Sequence, residues 1–254
     1  MKLEHLDRNL ALETVRVTEI AALASSLHMG RGDEKAADQA AVNAMREFLN
    51  NLMISGTIVI GEGERDKAPM LYIGEKVGKG GPKVDIALDP LEGTTITAHG
   101  GENALSVLAM GEEGSFLHSP DIYMHKIAFG KNYQGLEIDP EISEDEIVLK
   151  FSKFSNIKIE NVVVCILDRP RHKNLISKIR STGARIKLIP DGDVSAVIAT
   201  SIDDSGIDMY MGIGGSPEGV LGAAALRCLG GKIYTKLIFD GESVFERAQS
   251  MGIK

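Results

Sequence analysis

Residues 84–95 read VDIALDPLEGTT, an apolar run that passes directly into carboxylates, a glycine and two hydroxyls. The β-branched and aliphatic residues of 84–88 predict a strand. Asp89 ends that run, Glu92 follows three residues later, and Thr94 lies two residues further on. Mg²⁺ and Mn²⁺ prefer oxygen ligands, so carboxylates beside a glycine at a strand end suit such cations. This segment therefore predicts a metal-dependent site at the end of a strand.

Three other predicted strands end in loops of the same kind. Glycine in such loops lets the backbone approach a phosphate closely and point its N–H groups at the anion. Taken singly, each loop is also typical of an ordinary turn. The strands are 57–60, 185–189 and 207–213, and the loops that follow them are GEGE (61–64), PDGD (190–193) and GGSPEG (214–219).

The remaining pattern predicts an α/β protein (α+β layered), because strands alternate with helices along the chain. Open α/β sheets bind ligands beyond the carboxyl ends of their strands, where most of the promising residues fall. The stretch 131–160 is polar, acidic and lysine-rich, and we predict a joint or excursion there between regions 1–130 and 161–254. Further strands are predicted at 103–110 and 162–167, and helices at 10–27, 37–52, 172–182, 193–200 and 218–229.

Asp38 occupies an unusual position for a carboxylate. The helix over 37–52 has an unbroken apolar stripe with a period of 3.6 residues. On a helical wheel, Asp38 lies about 60° from the centre of that stripe, at the edge of the face that is predicted to be buried.

Composition describes a globular protein that does not favour polyanionic partners. Of 254 residues, 43% are apolar and 25% charged, and the net charge is −8. The negative charge disfavours nucleic acid and anionic membranes, and would repel a phosphorylated substrate unless metals or arginines reverse the local potential. No apolar run approaches the roughly 20 residues of a membrane span, and the N-terminus lacks a secretory core. Cys165 and Cys228 lie in apolar runs and are predicted to be buried free thiols, which favours a cytoplasmic protein.

The motifs together resemble the class II fructose-1,6-bisphosphatases of the lithium-sensitive, magnesium-dependent sugar and inositol phosphatase superfamily. DPLEGT is similar to the DPxxG[ST] metal motif of that superfamily, and the resemblance runs from about residue 10 to the end. The family resemblance implies a sugar-phosphatase fold with alternating helix and sheet layers, a metal-binding region over 1–130 and a sugar-phosphate-binding region over 161–254. Family members continue beyond the RAQSMGI segment, so the chain is expected to be shortened at its C-terminal end. The supporting segments are GRGDEKAADQAAVNAMR, GTIVIGEGERDKAPMLYIGEKVG, SPDIYMHK, RPRH, PDGDV and GIGGSPEGV.

The same resemblance implies the residues of the site. Thr94 would help to activate the attacking water, and bound Mg²⁺ or Mn²⁺ would assist. Because a threonine alone is a poor base, Glu62 or another ligand carboxylate would accept the proton. Arg169 stands where the family often has lysine, so a fork-shaped cation would take over that phosphate contact. The implied metal ligands are Asp38, Glu62, Asp89, Glu92 and Glu218. The implied substrate contacts are Glu92, Gly93, Thr94, Tyr123, Arg169, Arg171, Asp191, Asp193 and Gly215.

The activity that the resemblance implies is hydrolysis of the 1-phosphate of fructose 1,6-bisphosphate, giving fructose 6-phosphate in gluconeogenesis and glycerol metabolism. Sedoheptulose 1,7-bisphosphate is a second candidate substrate. Two alternatives remain: an inositol- or nucleotide-phosphate phosphatase of the same superfamily, or a non-catalytic sugar-phosphate binder. A homo-oligomer, either a dimer or a tetramer, is expected.

Arg169 and Arg171 flank Pro170, and an extended segment would project both side chains to one side. They would then converge on the phosphate that is not cleaved. The alternative is pairing with Asp168 or Asp191 at the surface. His172 is either a phosphate contact or a helix-start residue.

Overall fold

The computed structural model describes residues 8–63, 70–139, 141–250 and 253. The chain forms two compact units, Met1–Ser119 and Pro120–Lys254. Each unit combines a mixed sheet with helices, which confirms the α/β (α+β layered) class. The division falls earlier in the chain than the predicted joint at 131–160, and that stretch lies inside the second unit.

The first unit contains a four-stranded sheet in the order β2-β1-β3-β4. Strands β1 and β3 are parallel, whereas β2 and β4 pair antiparallel with them. Its helices are α1 (Arg8–Ser26), α2 (Glu34–Leu49) and α3 (Thr94–His99), and its strands are β1 (Ser55–Ile60), β2 (Lys76–Val77), β3 (Lys83–Glu92) and β4 (Leu105–Glu112).

Helix α2 forms because its sequence supplies both a cap and an apolar stripe. Asp33 caps the helix, and its carboxylate accepts the N–H of Ala36 at 3.0 Å. The stripe predicted from the 3.6-residue period is buried at Ala37, Ala41 and Met45. These residues join the core of this unit together with the inward faces of β1 and β3. The packing fixes α2, and with it Asp38, against the sheet.

The second unit contains a five-stranded sheet in the order β7-β6-β8-β5-β9. Strands β6, β7 and β8 are parallel, and β5 runs antiparallel to β8 and β9. Its helices are α4 (Glu144–Ser155), α5 (Lys173–Ser181), α6 (Asp193–Ala199), α7 (Ser216–Leu229) and α8 (Glu242–Ser250). Its strands are β5 (Tyr123–Phe129), β6 (Val163–Leu167), β7 (Arg185–Ile189), β8 (Met209–Gly215) and β9 (Lys232–Leu237).

The polar stretch 131–160 contributes to the core of the second unit through α4. Acidic residues fill the first turn of this helix, where they complement the helix dipole. Ile147, Val148 and Phe151 are buried, and they suffice to anchor a helix that is otherwise polar.

All six predicted strands occur, with ends displaced by up to a few residues. Among the helices that the structure describes, none combines the length and apolar character of a membrane span. Both cysteines are free thiols, as expected, but Cys228 is exposed and only Cys165 is buried.

Candidate active site

In the first unit, parallel pairing brings two of the implied metal ligands to one edge of the sheet. Ile60 of β1 is paired with Ala87 of β3. Two residues beyond these lie Glu62 and Asp89, so both carboxylates fall at the carboxyl ends of neighbouring parallel strands. This is the edge at which open α/β sheets bind their ligands.

Asp38 and Glu62 interact electrostatically. Asp38 lies half-buried on α2, and burial raises the pKa of its carboxyl group. The pKa of Glu62 rises to about 7, first because the group is buried and second because the Asp38 carboxylate is nearby. Two carboxylates that repel each other in a poorly solvated place are stabilised in their charged form by a cation. The donor set therefore fits a divalent metal.

The DPLEGT segment differs from the predicted loop at 89–95. Strand β3 continues to Glu92 through a register shift, and α3 begins directly at Thr94. The Asp89 carboxylate accepts the N–H of Leu91 at 3.0 Å, and Glu92 is buried. Gly93 has φ = 96°, a left-handed conformation that makes the strand-to-helix turn possible. The turn places Glu92, Gly93 and Thr94 side by side.

The Glu62 turn, residues 61–63, is hydrogen-bonded to residues 71–73. The N–H of Glu62 donates to the Leu71 carbonyl at 3.1 Å, and the N–H of Ile73 donates to the Gly63 carbonyl at 2.9 Å. A side chain at Gly61 would lie 2.1 Å from the Leu71 carbonyl oxygen, so only glycine allows this approach. Residue 64, the last of the GEGE loop, lies outside the described residues.

In the second unit, one edge of the sheet collects the other implied residues. Strands β6, β7 and β8 are parallel, so the loops that follow them share an edge. Strand β5 begins at the same edge, because Tyr123 pairs with Gly215. The residues at this edge are Tyr123, Arg169, Arg171, Asp191, Asp193, Gly215 and Glu218.

The sequence predicted that the two arginines project from one extended segment, and the structure shows that they do not. Arg169 is extended, but Pro170 begins a 3₁₀ turn that contains Arg171. Arg169 Nη2 lies 3.4 Å from Asp191 Oδ1, which is the alternative pairing considered for this side chain. Arg171 donates to the Ile213 carbonyl from Nε at 2.9 Å and from Nη2 at 2.8 Å. Its guanidinium lies 4.9 Å from the centre of the Tyr123 ring, a cation–π contact.

Asp193 is buried in a polar cluster that the sequence did not predict. Its Oδ2 accepts hydrogen bonds from Lys126 Nζ at 2.6 Å and from the Tyr210 hydroxyl at 3.2 Å. The Lys126 side chain is fully buried. Alternation offered a signal for it, because Met124, Lys126 and Ala128 fall on one face of β5 and the other two are apolar.

Glu218 lies in the first turn of α7 and has a buried acceptor atom. Its Oε2 accepts no hydrogen bond from the described part of the chain. Burial raises the pKa of Glu218, whereas the charge of Lys126 lowers it. A side chain at Gly215 would meet this carboxylate at 2.1 Å. An acceptor held in this way suits a cation, although no three acidic, histidine or cysteine side chains of the described residues already form a complete metal cluster.

His172 is a structural residue rather than a free phosphate contact. Its Nδ1 lies 2.7 Å from the Leu167 carbonyl, and its Nε2 lies 2.8 Å from the N–H of Ile213. The backbone N–H must donate to Nε2, so Nδ1 carries the proton and the ring is neutral. The pKa of His172 is lowered, and the largest cause is its burial.

Comparison with known proteins extends over nearly the whole chain. Residues 8–254 match the model of a family described as bacterial fructose-1,6-bisphosphatase, glpX-encoded. A Synechocystis sp. protein named D-fructose 1,6-bisphosphatase class 2/sedoheptulose 1,7-bisphosphatase is 46% identical, over 98% of this chain and 79% of its own length. The Escherichia coli fructose-1,6-bisphosphatase 1 class 2 is 47% identical, over 97% of this chain and 77% of its own length. A solved structure, Thermotoga maritima IMPase TM1415, aligns with 78% of this chain and 79% of its own at a TM-score of 0.36 and 14% identity.

Proposed function

The chain belongs to the glpX-encoded bacterial fructose-1,6-bisphosphatase family, and from this premise we propose how its residues hydrolyse fructose 1,6-bisphosphate. Its relatives are named as class 2 fructose-1,6-bisphosphatases at 46% and 47% identity, and the chain is a phosphoric monoester hydrolase of that kind. The reaction releases the 1-phosphate and leaves fructose 6-phosphate, a step of gluconeogenesis. The observation that carries this function is the family match, which covers residues 8–254 and so includes every residue implied for the site.

Family membership implies a divalent metal, and we propose Mg²⁺ or Mn²⁺. The residues that would hold it are the five carboxylates Asp38, Glu62, Asp89, Glu92 and Glu218. A bound divalent cation lowers the pKa of a water molecule and neutralises negative charge on phosphoryl oxygens. The mutual repulsion of Asp38 and Glu62 and the buried Oε2 of Glu218 support this assignment. It also explains how a protein with a net charge of −8 binds an anion.

The chain's own groups handle the water and the reacting phosphate. In this proposal, the Thr94 hydroxyl accepts a hydrogen bond from the attacking water and orients it. A threonine hydroxyl is a poor base, so the Glu62 carboxylate takes the proton. The backbone beside Gly93 and the Glu92 carboxylate contact the substrate at the start of α3. The turn at Gly93 supports this, because it places all three residues together.

The phosphate that is not cleaved would bind to Arg169 and Arg171, since a guanidinium matches phosphate oxygens in a bidentate manner. Arg171 is held in place by the Ile213 carbonyl and the Tyr123 ring. It keeps N–H groups beyond the two that bond Ile213. The carboxylates of Asp191 and Asp193 would accept hydrogen bonds from the sugar hydroxyls. Tyr123 and Gly215 would contact the substrate at the same edge of the second unit's sheet.

A panel of phosphate esters tests the function. The protein is expected to release phosphate from fructose 1,6-bisphosphate when Mn²⁺ or Mg²⁺ is present, and to stop when EDTA is added. Undiminished turnover in excess EDTA would overturn the metal-dependent mechanism. Preference for an inositol phosphate or a nucleotide phosphate would support the other phosphatases of the superfamily, and tight binding without turnover would support a sugar-phosphate binder.

Sedoheptulose 1,7-bisphosphate belongs in the same panel, because the name of the Synechocystis relative includes that activity. We also propose a cytoplasmic homo-oligomer, either a dimer or a tetramer. Light scattering of the purified protein checks the oligomeric state directly.

A further inference from the structure

A buried carboxylate, Glu75, lies behind the Glu62 turn. The side chain is 5% exposed. Its Oε1 accepts from Arg46 Nε at 2.6 Å, and its Oε2 accepts the backbone N–H of Leu71. Both acceptor atoms are therefore engaged, one by a cation on α2 and one by the backbone.

Leu71 connects Glu75 to the site. Its N–H is bonded to Glu75, and its carbonyl accepts the N–H of Glu62 at 3.1 Å. A continuous path of two hydrogen bonds and the backbone of one residue, Leu71, thus runs from the Glu75 carboxylate to the backbone of Glu62.

The backbone of Leu71 has φ = 53°, in the left-handed region. This conformation is strained for a leucine, so the surrounding contacts must hold it there. The side chain of Leu71 is fully buried in the core of the first unit, which fixes one side of the residue. The Glu75 carboxylate fixes the other side, because it holds the N–H. If that bond were lost, rotation of the backbone would turn the Leu71 carbonyl away from Glu62.

We propose that Glu75 is a positioning residue of the metal site: it fixes Leu71 in its left-handed conformation and thereby fixes the turn that presents Glu62. This inference rests on the proposed function, in which Glu62 is a metal ligand and proton acceptor. Arg46 has a different part. It neutralises the buried carboxylate, and so it contributes to stability more than to the position of Glu62.

The chain offers a matched control in Asp85. This carboxylate is also buried, at 4% exposure, and also belongs to the first unit. Its Oδ2 accepts a backbone N–H, that of Gly114, at 2.7 Å, and lies 3.8 Å from His118 Nε2. Asp85 therefore shares with Glu75 a buried carboxylate that accepts a backbone N–H, but its backbone partner does not lead to Glu62.

The experiment compares Glu75→Gln with Asp85→Asn. A glutamine has one acceptor oxygen where the carboxylate has two, and the charged Arg46 guanidinium is the stronger donor for it, so the Leu71 N–H loses its acceptor in Glu75→Gln. We expect Glu75→Gln to weaken Mn²⁺ binding about tenfold or more, as the loss of a group that orients a metal ligand does. Asp85→Asn is expected to lower the melting temperature comparably and to leave Mn²⁺ binding nearly unchanged. Mn²⁺ binding is measured by EPR of the free ion, without substrate, and stability by thermal melting.

Two further variants separate the charge pair from the positioning bond. Arg46→Met leaves the carboxylate bonded to Leu71, so the melting temperature falls while the Mn²⁺ affinity stays close to that of the wild type. In the double variant Arg46→Met/Glu75→Gln, no cation competes for the amide oxygen, which returns to the Leu71 N–H. The double variant is therefore expected to bind Mn²⁺ more tightly than Glu75→Gln alone. Should Glu75→Gln fail to fold, Glu75→Asp replaces it, because its shorter side chain cannot reach both donors.

Hydrogen exchange distinguishes failure of this inference from failure of the proposed function. The Glu62 amide is expected to exchange faster in Glu75→Gln than in Asp85→Asn, with or without metal. Equal exchange and equal Mn²⁺ affinity in these two variants would overturn the role of Glu75. A wild-type protein that binds no Mn²⁺ would instead count against the proposed function, and exchange at Glu62 would then decide the role of Glu75 by itself.

Discussion

At the scale of single residues, Thr94 separates chemistry from binding. It begins α3 directly after the left-handed Gly93, and it is half-buried. Thr94→Val preserves the branched shape and removes only the hydroxyl that orients the water. We expect kcat to fall by at least ~100-fold, while Mn²⁺ binding and KM stay close to those of the wild type.

Asp89→Ala provides the contrast to Thr94→Val, because it removes a proposed metal ligand and should abolish Mn²⁺ binding. Steady-state kinetics and metal titration of the two proteins check both statements. A Thr94→Val enzyme that turns over at the wild-type rate would reduce Thr94 to an ordinary turn residue.

Arg171 tests which phosphate the arginine edge recognises. A charge-assisted hydrogen bond contributes about 1.5–3 kcal/mol, so Arg171→Ala should raise KM for fructose 1,6-bisphosphate by a factor of ten or more. Fructose 1-phosphate lacks the second anion, and its hydrolysis should be poor and nearly insensitive to the change. Kinetics with both esters measure the difference.

Arg185→Ala is the matched control for Arg171→Ala. Arg185 Nε also donates to a backbone carbonyl, that of Glu160, at 2.8 Å, but Arg185 lies at the amino end of β7. Arg185→Ala should leave the KM values for fructose 1,6-bisphosphate and fructose 1-phosphate unchanged. Equal losses for the two esters in Arg171→Ala would mean that the arginine supports the fold or the reacting phosphate.

At the scale of elements, His172 links β6 to β8 through the Leu167 carbonyl and the Ile213 N–H. The folded protein requires the neutral ring, and burial lowers its pKa below the ordinary value of 6.5. As the pH falls through 6.5, His172 binds a proton in the unfolded chain but stays neutral in the folded chain, because its pKa is lower there. The stabilisation is therefore complete above this pH and is lost progressively below it.

His172→Gln should remove this part of the pH dependence, because an amide does not titrate. Urea unfolding at about pH 7.5 and about pH 5.5 measures it for both proteins. His125, whose pKa is lowered first by burial and to a smaller extent by the His172 charge, is present in both proteins, so most of its contribution is common to them. Parallel losses of stability in the two proteins would show that the His172 ring does not carry the effect.

Elements with a single dominant pattern could be predicted from the sequence, and those with mixed patterns could not. Strand β7 has the predicted bounds, and β6 differs by one residue. Strand β5 was missed because His125 and Lys126 interrupt its apolar run. Helix α4 was missed because only a narrow stripe of it is apolar. In both cases tertiary contacts, an ion pair or the core, stabilise what the local pattern does not predict.

The proposed site shows the same division. The carboxylates at the ends of β1 and β3 could be anticipated, because parallel neighbours bring their carboxyl ends together. The path from Glu75 to Glu62 could not, since it depends on the left-handed conformation of Leu71. The pairing of Lys126 with Asp193 also could not, because those residues are 67 positions apart. Contacts between distant segments leave little trace in the local pattern of a sequence.

At the scale of the whole molecule, the two thiols report on different states of the chain. Cys228 is exposed, whereas Cys165 is buried in the centre of β6 and burial raises the pKa of its thiol to about 11. The thiolate is the reactive form, so Cys165 should react only when the second unit opens. The native protein should therefore show one thiol that reacts rapidly with DTNB, and the urea-unfolded protein two.

Cys228→Ser isolates the slow thiol, so that its reaction rate measures opening of the second unit. The control is Cys165→Ala, which should leave only the rapid phase. Two rapidly reacting thiols in the native protein would contradict the burial of Cys165.

The backbone at the end of β8 lies in close contact with the Lys126–Asp193 pair at Gly214 and with Glu218 at Gly215. A side chain at Gly214 would meet Asp193 at 2.1 Å and Lys126 at 3.0 Å, whereas one at Gly215 would meet the Glu218 carboxylate. In a saturation-mutagenesis screen scored by growth, Gly214 would thus appear as intolerant as a residue of the reaction centre, although glycine has no side chain with which to take part. Selection at this position acts on the space that a side chain would occupy. A mutational map of the protein would therefore mark Gly214 as essential, although it has no chemical role in the reaction.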